Sequence, residues 1–219
     1  MNSREELAEN LFRVAVELTR IGSSDVAAET YQLALRLDPR DFQSLTNLAV
    51  IIDKSGRLLD AENLYVKAAS HPFFDPFAMF NLGYLYGRTK KLDLAELWYR
   101  RCLVADPNYH PAMVNLSGLV QEARGDLLES KDLLERALSI DPKDTIALYE
   151  LANIYRQHGQ LYEAEMLYFK AVDNDPGDPT AMYNYASFIH QIGEHDRASA
   201  LFDEAHRLDK QGVLKRGGN

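Results

Sequence analysis

The residues of this chain best suited to recognition chemistry are Phe77, Phe80 and Tyr84, spaced i, i+3 and i+7 within PFAMFNLGYLYGR, residues 76–88. Asn81 lies among them and Arg88 stands four residues past Tyr84. Aromatic rings offer rigid apolar area, while an amide and a guanidinium offer directional hydrogen bonds. At about 100° per residue this stripe falls roughly opposite Met79, Leu82, Gly83 and Tyr86, the stripe that reads as core. Three rings on a face turned away from the core mark a candidate binding hot spot. The competing reading is that the rings pack between neighbouring helices. The same helix position recurs along the chain as Phe12, Thr46, Phe80, Val114, Tyr149 and Tyr183, and the next position as Asn47, Asn81, Asn115, Glu150 and Asn184. An amide repeated at one helix position can hold the backbone of an extended peptide without reading its side chains. A third column runs Arg20, Lys54, Arg88, Glu122, Gln157 and Gln191, basic at first and then acidic or neutral. It reads either as a device that orients an acidic peptide or as a solvated face. The candidate peptide-binding set is therefore Asn47, Phe77, Phe80, Asn81, Tyr84, Arg88, Asn115, Tyr149, Tyr183 and Asn184.

Catalytic chemistry finds no comparable support. The six histidines form no i, i+4 pair and no HExxH, although His190 and His195 flank a glycine turn. Nucleophile-elbow, P-loop and dinucleotide fingerprints are missing from the sequence. Neither a metal nor a cofactor is expected. Cys102, the single cysteine, falls in a column of small residues and reads as buried and inert. Asn115-Leu116-Ser117 matches a glycosylation sequon but lies inside a helical pattern.

These positions are held by a repeat. The words ALRLDPR (34–40), CLVADPN (102–108), ALSIDPK (137–143) and AVDNDPG (171–177) end helices at spacings of 34 or 35, with Pro72 one residue early in the unit between the first two. A glycine column runs Gly22, Gly56, Gly125, Gly159, Gly193, with Lys90 in its place once. Small residues follow at Ala27, Ala61, Ala95, Ser130, Ala164, Ala198, and again seven residues on at Ala34, Ala68, Cys102, Ala137, Ala171, Ala205. Tyrosine, leucine or phenylalanine stands between them. Each unit thus reads as two helices: an apolar i, i+3, i+4, i+7 stripe, a left-handed glycine turn, a small–aromatic–small stripe, and an Asp-Pro stop. Asp41, Asp75, Asp144 and Asp178 stand where the next helix needs an N-cap, with Pro76 and Pro179 just inside.

This pattern resembles the tetratricopeptide repeat family over residues 8–210. The expected units are 8–41, 42–75, 76–109, 110–144, 145–178 and 179–210, followed by a tail at 211–219. The unit at 110–144 carries one extra residue between Ser117 and Gly125. The tryptophan common in the family's first helix is replaced, and Trp98 lies in a second helix. The resemblance implies an all-α fold, a right-handed superhelical solenoid of antiparallel helix pairs with first helices lining the concave face. It also implies a non-enzymatic scaffold that binds a peptide segment of a partner protein. The lysine and asparagine set by which some members hold a terminal carboxylate is not assembled in any three successive units.

Composition narrows the partners. A net charge of -9 repels phosphate backbones, so nucleic acid is not expected. No apolar run is long enough for membrane insertion, and MNSREELAEN has no signal core. One cysteine fits a reducing compartment, so a cytoplasmic or similar intracellular location is expected. Residues past Asp209 are too few for a further capping helix, which leaves open a homo-oligomer through the C-terminal end. Two alternatives stay beside the peptide scaffold: a structural subunit of a larger complex, and the repeat segment of a longer enzyme.

Overall fold

The computed structural model of the protein describes residues 3–70 and 75–216, and the early proline at position 72 lies outside them. Every regular element described is α-helical. In order they are α1 (Ser3–Arg20), α2 (Ser24–Leu37), α3 (Phe42–Lys54), α4 (Leu58–Ala69), α5 (Pro76–Arg88) and α6 (Leu92–Ala105). There follow α7 (His110–Arg124), α8 (Leu127–Ile140), α9 (Thr145–Gln157), α10 (Leu161–Asn174), α11 (Pro179–Gln191) and α12 (His195–Arg216). They form antiparallel helix pairs distributed over two compact units, Met1–Ala112 and Met113–Asn219. In the first, α1 packs on α2, α3 on α4 and α5 on α6, with α2 against α3 and α4 against α5. In the second, α9 packs on α10 and α11 on α12, with α8 against α9 and α10 against α11.

The turn inside each pair follows from one left-handed residue. Gly56 has φ +82°; its N–H donates to the Asp53 carbonyl at 2.9 Å, and the Arg57 N–H reaches back to Ile52 at 3.2 Å. This is a Schellman ending, which a residue without Cβ adopts freely. Lys90 takes the same conformation, φ 59°, with the same two bonds, so the fold imposes the turn where glycine is missing. The fourth pair departs. Its first helix has 15 residues where α3, α5, α9 and α11 have 13, and Gly125 donates to Gln121 in an ordinary helical bond. The extra residue is absorbed by a longer α7, with one residue fewer in the turn to α8 than in the turn from α3 to α4.

The Asp-Pro words close the second helices in one way. Asp38, Asp106 and Asp141 are extended C-cap residues, as a residue before proline prefers, and Asp175 is the C-cap at φ -135°, ψ 84°. Each carboxylate accepts a backbone N–H two residues on, at 2.9–3.0 Å. Three residues after each of these aspartates the chain donates back to its carbonyl at 3.2–3.3 Å, through Asp41, Tyr109, Asp144 and Asp178. Asp41, Asp144 and Asp178 then cap the next helix through their own side chains.

The core joins the apolar stripe of the first helices, such as Leu45, Leu48, Ala49 and Ile52, to the small–aromatic–small stripe of the second helices. Ala27, Tyr31 and Ala34, and the equivalent trios at Tyr65, Tyr99 and Tyr168, are buried. Cys102 belongs to this stripe. Its thiol donates to the Pro76 carbonyl at 3.2 Å, and burial, with Asp106 and Asp75 nearby, pushes it up to about 12. Gly83 on α5 faces Tyr99; a Cβ there would sit 2.8 Å from the ring, so the pair closes only with glycine at that place.

Candidate functional site

Helix α5 is started by Asp75, whose carboxylate accepts the Phe77 N–H at 3.0 Å and also the Thr46 hydroxyl at 2.7 Å. Asp75 is buried, so the same side chain caps α5 and ties it to α3. The aromatic stripe then splits in two. Phe77 and Tyr84 are each 42% exposed. Phe80 between them is half-buried, its ring stacked on Tyr84 at 6.4 Å and tilted against Tyr99 at 5.9 Å and Tyr109 at 5.3 Å. Burial raises the Tyr99 hydroxyl well above its usual range and pushes Tyr109 up to about 12, so both stay protonated at neutral pH. Phe80 thus supports the exposed rings from beneath.

Arg88 is fixed at the end of the stripe. Its guanidinium meets both Asp53 oxygens on α3, at 3.0 and 3.1 Å, and lies 5.6 Å from the Tyr84 ring centre. The matching place in the second unit carries the same tie with reversed partners: Arg156 on α9 donates to Gln191 on α11 at 2.8 Å. This column therefore links neighbouring first helices. Nothing in one sequence pairs positions 35 apart across two helices, and the charge change along the column concealed the shared role.

The asparagines spend part of their donor capacity locally. The Asn81 amide donates to the Phe77 carbonyl at 2.7 Å, and Asn184 to the Thr180 carbonyl at 2.9 Å. Asn47 lies near the buried Tyr31 hydroxyl and, with Thr19, opposes the rise that burial imposes on it. Each amide retains further hydrogen-bonding capacity. Glu150, which stands in this column, is half-buried; burial raises its carboxyl above the usual range, with Asn153 hydrogen-bonding it in opposition. Asn153 in turn accepts the Tyr168 hydroxyl at 2.5 Å.

The first unit brings together Phe77, Phe80, Asn81, Tyr84 and Arg88 on α5, with Asn47 on the adjacent α3. Asn115, Tyr149, Tyr183 and Asn184 lie in the second unit. There Tyr183 packs on Phe202 at 6.2 Å, and Tyr149 packs into the core around Leu148 and Ala181. Burial, followed by the charges of Glu150, Asp178 and Asp144, pushes the Tyr149 hydroxyl up to about 12. The His190 and His195 rings lie 4.7 Å apart. Among the described residues no group of three metal-ligating side chains occurs, and no helix is long and apolar enough to cross a membrane.

Known proteins extend this picture. The human protein O-mannosyl-transferase TMTC3 is 24% identical over 183 residues; the match covers 67% of this chain and 20% of that protein, so the chain spans about a fifth of its length. Pseudomonas aeruginosa pilF superposes with a TM-score of 0.82 at 16% identity, over 94% of both chains. YrrB, described as a TPR protein with an unusual peptide-binding site, superposes at 0.64 with 20% identity, over 85% of this chain and 96% of that one. These likenesses establish the fold. Profiles described as tetratricopeptide repeat match residues 15–73 and 116–179, and another matches 78–109. With its period, hinges and left-handed turns carried through successive helix pairs, the chain belongs to the tetratricopeptide repeat family.

Proposed function

We propose that this chain is a non-enzymatic protein-interaction scaffold whose first-helix face holds a peptide segment of a partner protein. The observation that carries the reading is the strip on α5: two exposed rings, Phe77 and Tyr84, braced by Phe80 and flanked by a guanidinium that Asp53 already holds in place. Rigid aromatic area loses little entropy on binding, which is what a central anchor requires. The amides of Asn47 and Asn81 supply backbone contacts beside the rings, and Asn115, Tyr149, Tyr183 and Asn184 are the corresponding candidates within the second unit. The partner is a protein rather than a nucleic acid, because the net charge is -9. A reducing intracellular compartment such as the cytoplasm suits the single buried thiol.

The test is to select peptides that bind the protein and measure their affinity by calorimetry. Tyr84→Ala and Phe77→Ala should each weaken binding by about 2 kcal/mol while leaving the melting temperature in place. Wild-type affinity in both variants would remove the first-helix face from consideration. Self-association through the C-terminal end is checked by light scattering over a hundredfold concentration range: a rising mass favours a self-assembling subunit, and a constant monomer favours the peptide groove. A second reading draws on the human relative. The repeats then form the recognition part of a longer enzyme, and the same face presents protein substrates to it.

A further inference from the structure

The opposite face, made by the second helices, carries two grooves of the same build in the first unit. In this unit α3 touches α5, whereas α2 and α4 stand too far apart to pack in the same way. The gap has α3 as its floor and holds a groove of about 540 Å³. One repeat on, a second groove of about 590 Å³ opens over α5, beside α6. Residues 34 apart make corresponding parts of the two: Leu45 and Met79 the floor, Leu64 and Trp98 a wall, Lys67 and Arg101 the lip. The repeat thus produces one concavity twice, with a cation in the same place each time.

The electrostatics of the lining are opposite to those of the chain. The first groove is lined by Arg36, Arg57 and Lys67 against one acid, Asp60, which Arg57 already holds at 2.6 Å. The second is lined by Arg100, which Glu96 holds at 2.9 Å, and by Arg101, with no acid in the lining itself. Among the described residues Lys67 and Arg101 have no carboxylate partner; the Arg101 guanidinium lies 4.7 Å from the Trp98 ring centre. On a protein of net charge -9, two apolar grooves edged by unpaired cations select an acidic ligand by charge and an apolar one by surface. Exposed apolar side chains beside the second groove, Leu97 at 43% and Val104 at 84%, extend that surface.

We propose that the second-helix face of the first unit docks an acidic amphipathic segment of a partner protein. Its apolar side chains enter the two successive grooves and its carboxylates meet Lys67 and Arg101. This site is separate from the first-helix strip, so the chain can hold two segments at once.

Trp98, the single tryptophan, stands in the wall of the second groove and reports occupancy directly. A random-peptide library on phage is panned against the protein and counter-selected against a Lys67→Glu/Arg101→Glu variant, whose exposed changes leave the core untouched. The retained peptides are expected to combine Asp or Glu with Leu or Phe. Synthesised without tryptophan, they should shift Trp98 emission saturably, bind the charge-reversed variant at least about tenfold more weakly, and bind Tyr84→Ala as they bind wild type. An empty counter-selected pool, a pool without acidic enrichment, or binding that follows Tyr84 overturns the proposal. So does a Trp98 shift that tracks protein concentration alone with a doubling of mass, which assigns the grooves to a second copy of the chain.

Discussion

Phe80 and Tyr84 separate two roles that adjacent rings on one helix usually blend. Phe80 is half-buried against Tyr99 and Tyr109, while Tyr84 leans on Phe80 from outside. Phe80→Ala should therefore cost about 2 kcal/mol of stability, visible in urea unfolding, and Tyr84→Ala less than about 0.5. Equal losses would place Tyr84 in the core and not on a binding surface. Glu150 gives a residue-scale pH effect. Burial raises its folded carboxyl, so the folded state binds the proton more tightly than the unfolded chain. Its contribution to stability is present in full below the unfolded value and is lost as pH rises through the folded one. Glu150→Gln should melt above wild type at pH 7, and the difference should shrink on acidification. A constant difference from pH 7 down to pH 4 would show that the carboxyl titrates normally.

The start of α5 is tied to a second helix. Asp178 caps α11 with one bond to the Thr180 N–H at 2.8 Å. Asp75 makes the equivalent bond and also accepts the Thr46 hydroxyl from α3 while buried. Asp178→Ala should cost about 1 kcal/mol, the ordinary worth of a cap. Asp75→Ala should cost more, about 1–2 kcal/mol, because it also removes the buried link to Thr46 on α3, whose hydroxyl is left with the Phe42 carbonyl as its acceptor. Thermal melts of the two variants decide this, and Thr46→Val provides the check: Asp75→Ala on that background should lose less than it does alone. Losses that simply add would mean that Thr46 and Asp75 do not cooperate in joining the helices.

Across the whole molecule, stability is passed between neighbours. A repeat buries its apolar face only against the next, so terminal helices are held from fewer sides. Helix α1 packs on α2 and α12 packs on α11, whereas α3 meets α2, α4 and α5. Amide hydrogen exchange should thus be fastest in α1 and α12 and slowest in helices with neighbours on both sides, such as α3, α5 and α9. Uniform protection from α1 to α12 would indicate one all-or-none unit in place of a graded array. Ties such as Arg88 to Asp53 and Arg156 to Gln191 carry this coupling along the first helices. The first is a two-bond pair whose Asp53 side chain is only 11% exposed, and the second joins a half-buried arginine to a neutral amide.

The sequence by itself determined the helices, their order and their turns. Those depend on local rules: Asp-Pro cannot continue a helix, a left-handed turn needs glycine at most copies, and Ala–Tyr–Ala at helical spacing makes one close-packing face. Lys90 shows how far this goes, since five glycines in the column were enough to predict the turn at the sixth place. Tertiary structure decided which side chains remain available. Phe77, Phe80 and Tyr84 are equivalent in a helical projection, and only Tyr99 and Tyr109, brought in from other segments, cover Phe80 and leave the outer two exposed. The same holds for Arg88, whose charge reads as free until Asp53 is placed beside it. The grooves on the second-helix face have no local signature, because a cavity is a property of the distance between two helices and is set by what both pack against.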